Sequence, residues 1–250
     1  MDKAFSKGLA LIEALAQSEQ PCGVTQLGKQ LQFTKSNVHR LLQTLASRGY
    51  VRNRENGGSY ELTLKLWEIG SQALSRLDIK EIAASRLKAL ADETSETVHL
   101  SLLDDGEVIY IDKIDSPHPV RAYSRIGGRA PAYCVATGKA MLAYSSNNTI
   151  DRIGTNLKRH SATTICSIQK LKKEFSGIRK TGYAINRGEW REGVCGIAAP
   201  IFDSTNKVVA AIGLSGPADR LKIRTLKKFG PLVMKAAAGI SRELGYSGTA

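Results

Sequence analysis

Acidic residues are scarce in this chain. There are 23 Asp and Glu against 36 Lys and Arg, a formal net charge of +13 and a pI near 9.7. That balance disfavours an acidic surface protein and favours a polyanionic or anionic partner. Cysteine is scarce too. Cys22, Cys134, Cys166 and Cys195 match neither a metal motif nor a compact disulfide framework, so they read as reduced thiols of a cytoplasmic protein. The 4 histidines are scattered over 250 residues, so neither a metal nor another cofactor is expected. No apolar run approaches the roughly 18 residues of a membrane-spanning helix, and the opening residues lack a signal-peptide pattern. The expectation is a soluble protein without a membrane partner. What the chain does have is 42% hydrophobic residues over 250 positions, enough for two domains with separate cores.

The most informative stretch is residues 34–48, TKSNVHRLLQTLASR. Val38, Leu41, Leu42 and Leu45 follow helical spacing and form an apolar stripe. Lys35, Ser36, Asn37, His39, Arg40 and Gln43 occupy the other face. These side-chain types donate to phosphates and read base edges in the major groove. Thr34 stands where an N-cap belongs, which puts the polar cluster in the first turns, where a recognition helix makes its base contacts.

The flanks agree with that reading. Residues 3–17 predict a helix with Phe5, Leu9, Ile12 and Leu15 as its stripe. After the break at Pro21-Cys22-Gly23, a short helix runs to Leu31 with Thr25 as its expected cap and a DNA-facing candidate. Gln32 and Phe33 leave room only for a tight turn, although that turn lacks its usual glycine. Beyond Gly49, residues 50–54 and 59–62 predict two strands joined at Asn56-Gly57-Gly58, a wing. From Lys35 to Arg54 there are five Lys or Arg and no acid. Ser36, Asn37 and Arg40 are therefore expected to read bases, and Lys35, His39, Arg48, Arg52 and Arg54 to hold phosphates. The partner is double-stranded operator DNA. The competing use of such a helix, contact with protein or RNA, fits this polar set less well.

The positive charge is not confined to this region. Residues 1–63 carry 8 Lys or Arg against 5 acids, +3, which leaves +10 of the total +13 for the rest. An anionic small ligand would suit that second part. Residues 63–77 predict a linker helix whose Leu62, Leu66, Ile69, Ala73 and Leu77 form an apolar seam suited to packing on a second chain. A helix opening at Asp78 follows. Strands are expected at 98–103, 107–112 and 120–124, helices at about 137–144 and 168–180, strands at 194–202 and 208–215, and a terminal helix from about 219 to 244. Hairpin-joined strands with inserted and flanking helices imply an α+β domain around an antiparallel sheet. The domain boundaries are thus 1–62, 63–77 and 78–250.

The chain resembles the IclR-type bacterial transcriptional regulators. The segments that carry the resemblance are LALIEAL (9–15), KSNVHRLLQTLASRGYV (35–51), YELTLKLWEIG (60–70), ETVHLSLLDDGEVIYIDKIDSP (96–117), GRAPAYCVATGKAMLAY (128–144) and GVCGIAAPIFD (193–203). The YSRIGGRAPAY stretch looks nearest to the branch that senses sugar acids. The resemblance implies a winged helix-turn-helix, a dimerising linker helix and a GAF-like effector domain. It also implies a homodimer or dimer of dimers that answers to a small anionic metabolite, a sugar, keto or aromatic acid. Of the two signs of regulation in such regulators, a repressor of a catabolic operon is the expectation over an activator.

The backbone N–H groups of a helix N-terminus attract a carboxylate, which points to the helix start at Ala136, Thr137 and Gly138. The family pocket, carried onto this sequence, includes Ala136 and Thr137, then Asn186, Gly196, Gly213 and Ser215. Family members that bind small keto acids often have an acid at the position of Asn186 and a cysteine at that of Gly196. Here the thiol is at Cys195, which by strand alternation faces the other way. Tyr123 and Arg125 are further candidates, Arg125 as a carboxylate partner. A cysteine-dependent enzyme built on Cys134 with His99 or His118 has no supporting spacing, nor has metal binding by His99, His118 or His160. No catalytic residue is expected.

Overall fold

The computed structural model describes residues 3–54, 58–74 and 79–248. The chain divides into two compact units, 1–77 and 78–250. The first runs α1 (Lys3–Gln17), β1 (Cys22–Gly23), α2 (Val24–Leu31), α3 (Lys35–Ser47), β2 (Val51–Asn53), β3 (Ser59–Leu62) and α4 (Lys65–Leu74). Its three strands pair antiparallel in the order β1-β3-β2. Asn56 and Gly57 of the expected wing turn lie outside the described residues.

Local signals explain most of these boundaries. The Thr34 side chain accepts a hydrogen bond from Asn37 N, capping α3. Gly49, at φ +75°, follows the C-cap residue Arg48. Gln32 takes the left-handed conformation, φ 57°, that a glycine would have supplied, and its N–H bonds back to Gly28 O. Three expectations need correction. Thr25 is not the cap of α2, which opens at Gly23, because Cys22 and Gly23 are drawn into pairing with Tyr60 and Ser59. In α1 the buried set is Leu11, Ala14 and Leu15. Phe5 and Leu9 are exposed, because α3 and β3 meet the other apolar stripe of that helix. In the linker seam Leu62 packs against the first unit's core, and the exposed apolar side chains are Leu64, Trp67 and Ile69. The side chain of Ala73, and Leu77 and Asp78 as a whole, lie outside the described residues.

The second unit contains α5 (Ile79–Thr94), β4 (Thr97–Asp104), β5 (Glu107–Ile114), β6 (Arg129–Pro131), α6 (Ala136–Leu142), α7 (Asn147–Gly154), α8 (Ile168–Thr181), β7 (Ala184–Arg187), β8 (Val194–Phe202), β9 (Val208–Pro217) and α9 (Ile223–Glu243). Its six strands form one antiparallel sheet, β6-β5-β4-β9-β8-β7. Helix α6 packs on one face, with every one of its residues buried. Helices α5 and α9 pack on each other and against the sheet. The expected strand at 120–124 does not form. That segment is held by side chains instead: Lys113 Nζ donates to Ser124 O at 2.8 Å, and Arg220 Nη1 to Val120 O at 2.8 Å. The edge strand beside β5 is β6. Helix α7, capped by Ser146, and strands β1 and β7 were not expected from periodicity. Among the described residues, no helix is long and apolar enough to cross a membrane.

Candidate functional site

The first unit presents a basic helix. Val38 and Leu42 of α3 are buried and Leu41 and Leu45 half-buried, so the apolar stripe faces the core. Lys35, Ser36, His39 and Arg40 are exposed, and Asn37 is half-buried. Lys35, Arg40 and Arg48 have no ion-pair partner among the described residues. The wing differs from expectation. Arg52 and Arg54 both reach Glu61, at 2.7 and 3.1 Å, because the register sets Arg52 opposite Glu61. Hydrogen bonding from Arg52, with the charge of Arg54, holds the Glu61 carboxyl below its ordinary range. The wing arginines are thus partly neutralised, whereas Lys35 and Arg40 of α3 have no acidic partner among the described residues. Thr25, exposed in the first turn of α2, makes no cap.

The second unit contains a small cavity of about 50 Å3 between α6 and the sheet, room for only a few water-sized groups. Seven of the nine expected ligand residues line it: Tyr123, Ala136, Thr137, Asn186, Gly196, Gly213 and Ser215. Two do not. Gly138 packs on the turn before α6, where a Cβ would run into the Ala132 backbone. Arg125 lines an adjoining space outside the cavity. Sequence reasoning missed His99 and Tyr110 as lining residues, together with Trp190 and Arg191 from the β7–β8 loop. His99 carried a readable signal: within VHLSLL it shares the strand face of Ser101, polar positions in an apolar strand.

The lining is mainly apolar, with a few neutral polar groups, one cation and no carboxylate. His99 Nε2 lies 2.8 Å from Ser215 Oγ, and its Nδ1 3.4 Å from Ser124 Oγ. Burial, and secondarily the charge of Lys113, pushes the His99 pKa down to about 4, so the ring is uncharged at neutral pH and offers one donor and one acceptor. The Asn186 Nδ2 donates to Val194 O at 3.3 Å, and its Oδ1 accepts from Glu189 N at 2.9 Å. Arg191 lies over the Trp190 ring, 4.5 Å from its centroid. Burial pushes the Tyr110 hydroxyl up to about 12.

The wall that carries Trp190 and Arg191 is fastened by a buried ion pair that the sequence reading did not single out. Lys139, on α6 and wholly buried, reaches Glu189 Oε1 at 2.8 Å and Glu174 Oε1 at 3.0 Å. Thr164 Oγ1 also donates to Glu189 O at 2.6 Å. The second carboxylate oxygen of Glu189 is buried without a partner, and burial raises its pKa against the pull of Lys139. The candidate nucleophile fails on environment. Cys134 is fully buried, and burial, then Glu189, pushes its thiol up to about 12. His99 bonds to serines instead. Among the described residues no group of His, Cys, Asp and Glu has the arrangement of a metal site.

Residues 4–55 match the IclR helix-turn-helix domain, and residues 71–242 match the bacterial transcriptional regulator IclR C-terminal domain. The HTH-type transcriptional regulator KdgR of Escherichia coli (strain K12) is 36% identical over 242 residues, covering 96% of this chain and 92% of KdgR. The transcriptional repressor IclR of the same organism is 32% identical over 250 residues, covering 98% and 90%. The crystal structure of the Thermotoga maritima IclR superposes with a TM-score of 0.81 at 30% identity, covering 97% of this chain and 98% of that one. An exposed basic helix, a separate unit with a small cavity and two domain matches that together span almost the whole chain agree: this protein belongs to the IclR family of bacterial transcriptional regulators.

Proposed function

We propose that the protein is a ligand-responsive repressor of a catabolic operon, acting in the cytoplasm as a dimer or dimer of dimers. In this reading residues 1–62 bind operator DNA, residues 63–77 link and dimerise, and residues 78–250 bind a small carboxylate such as a sugar, keto or aromatic acid. The observation that carries it is the cavity lining: an apolar surface with a few neutral polar groups, Arg191 and no acid. Such a site accepts an anion without like-charge repulsion. Support for repression comes from the likeness to the E. coli repressor IclR, and support for a sugar acid from the resemblance of the YSRIGGRAPAY stretch (123–133) to the sugar-acid-sensing branch. On α3, Ser36, Asn37 and Arg40 read bases, with Lys35, His39, Arg48, Arg52 and Arg54 as phosphate contacts.

The test couples both units. A thermal-shift screen with aldonic, keto and aromatic acids identifies acids that stabilise the full-length protein. Gel shifts on the DNA upstream of neighbouring catabolic genes then measure the effect of each hit. A hit is expected to lower DNA affinity by about 5- to 150-fold, the usual range of coupling. Acids that stabilise the protein yet leave DNA affinity unchanged overturn the proposal.

A further inference from the structure

The cavity beside α6 is too small for an effector as it stands. Its volume is about 50 Å3, against roughly 300–1,000 Å3 for small-molecule sites. An adjoining space of about 310 Å3 reaches the lower end of that range. The two share Tyr110, Tyr123, Ser124, Trp190 and Arg191 in their linings. Joining them therefore requires one of these shared walls to move.

Two of the walls are fixed. Tyr110 belongs to β5, inside the sheet. The loop that carries Trp190 and Arg191 is held through Glu189 by Lys139, Thr164 and Asn186. The third wall, residues 117–126, is a strap with firm ends and an unpaired middle. At one end Ser116 is buried, its N–H donating to Thr97 Oγ1 at 3.2 Å and its hydroxyl to Ser95 O at 2.6 Å. At the other, Gly127 N donates to Tyr110 O at 2.8 Å and Tyr110 N to Gly128 O at 3.1 Å. Among the described residues, no backbone–backbone hydrogen bond joins 117–124 to the rest of the chain. Val120, Tyr123 and Ile126 are exposed, whereas Ala122 is buried against the cavity. A segment with few backbone bonds and exposed side chains is where local opening costs least.

Two cations hold the strap down by its carbonyl oxygens. Arg220 Nη1 donates to Val120 O and Lys113 Nζ to Ser124 O, both at 2.8 Å. Each cation has a second anchor outside the strap. Arg220 forms a bidentate pair with Glu96, at 2.7 and 2.9 Å. Glu96 is itself buried, packed where a Cβ on Gly216 would run into it. Lys113 pairs with Asp115 at 2.9 Å. Both donors therefore keep their place when the strap lifts, and each gives up one hydrogen bond. His99 Nδ1, 3.4 Å from Ser124 Oγ, ties the same stretch to the cavity interior.

We propose that residues 117–126 gate the effector site. The strap lifts to join the two spaces, admits the ligand past Tyr123 and Ser124, and is drawn back by Arg220 and Lys113. These two cations are positioning residues that set how readily the site opens. The ligand's part in this rests on the cavity being the effector site, and the lifting of the strap does not.

Thiol alkylation of the full-length protein tests it. Cys22, Cys134 and Cys195 are buried and Cys166 is exposed, so Cys166→Ser supplies a quiet background. In it, Ala122→Cys places a thiol on the cavity side of the strap, and Ile126→Cys places one on the exposed side as a control. Iodoacetamide should modify the Ala122→Cys protein far more slowly than the control. Arg220→Lys keeps a cation on Glu96 but loses the fork that also reaches Val120 O. Adding it, or Lys113→Met, should speed alkylation of the Ala122→Cys protein about tenfold, the worth of one charge-assisted hydrogen bond. The control should keep its rate. Loss of a nearby cation would by itself raise the thiol pKa and slow the reaction, so acceleration reports opening. Ligand-free Tm reports whether each variant is folded. Equal rates at the two positions, or a cavity-side rate that neither variant changes, overturn the gate. The effector reading is judged separately, with D-gluconate, pyruvate and 4-hydroxybenzoate as probes. An acid that raises Tm and slows cavity-side alkylation supports the cavity as its site, whatever the latch variants do. Acids that raise Tm without slowing it, or no stabilisation by any of them, overturn the cavity as the effector site and leave the strap to be judged by the latch variants.

Discussion

Lys139 Nζ lies 2.8 Å from Glu189 Oε1, and both side chains are almost wholly removed from solvent. This pair joins α6, whose start lines the cavity, to the loop whose Trp190 and Arg191 also line it. Glu174, which Lys139 also reaches, behaves differently from Glu189. Burial alone would raise its carboxyl, but Lys139 and Arg187 outweigh that and hold it below its ordinary value.

Removing one member of such a pair strands a buried charge. Lys139→Met should therefore destabilise the second unit by about 3–5 kcal/mol, read by urea unfolding. Adding Glu189→Met should recover much of that loss, because no buried charge then remains. Equal loss in single and double variants would show that packing, not charge, sets the cost.

His99 couples the site to pH. Its folded pKa of about 4 lies below the ordinary histidine value of 6.5. As pH falls below 6.5 the unfolded chain gains a proton that the folded protein refuses, so stability is present above that value and is lost towards pH 4. The loss between pH 6.5 and 5 should be about 2 kcal/mol. In His99→Phe the fall in Tm between those pH values should shrink. An identical fall in both proteins would remove His99 from the account.

Arg40 and Glu61 separate reading from holding. Arg40→Ala should cost about 1–3 kcal/mol of operator binding and affect non-specific DNA less. Glu61→Gln should free Arg52 and Arg54 from their ion pairs, raising non-specific affinity and steepening the salt dependence by about one to two units of log–log slope. A gel-shift series across salt concentrations measures both. Unchanged operator discrimination in Arg40→Ala would exclude a base-reading role.

Trp67, 72% exposed on α4 beside Leu64 and Ile69, tests self-association. Trp67→Glu should shift the protein towards monomer in sedimentation velocity and weaken operator binding, since two linked half-site contacts multiply affinity. A variant that sediments like the wild type would place the dimer contact elsewhere.

The recognition helix was readable because its signals are local. Thr34 caps it, Gly49 ends it, and the stripe from Val38 to Leu45 states which face is buried. The β8–β9 hairpin was equally plain, from alternation around Asp203 to Asn206. Elements with weak local signals were missed, such as the short polar α7 and the two-residue β1, which exists only because β3 lies beside it. Residues 120–124 alternate like a strand, yet Lys113 and Arg220, distant in sequence, take their carbonyls.

By itself the sequence determined the DNA-binding helix, the α+β character of the second unit and most residues of its cavity, since these follow from periodicity, caps and family motifs. Only the tertiary structure decided which charges are free. Strand register neutralised Arg52 and Arg54 on Glu61, and packing buried Lys139 against Glu189. Charge pairing depends on separations of a few ångströms between residues far apart in the chain, and no local pattern encodes those distances.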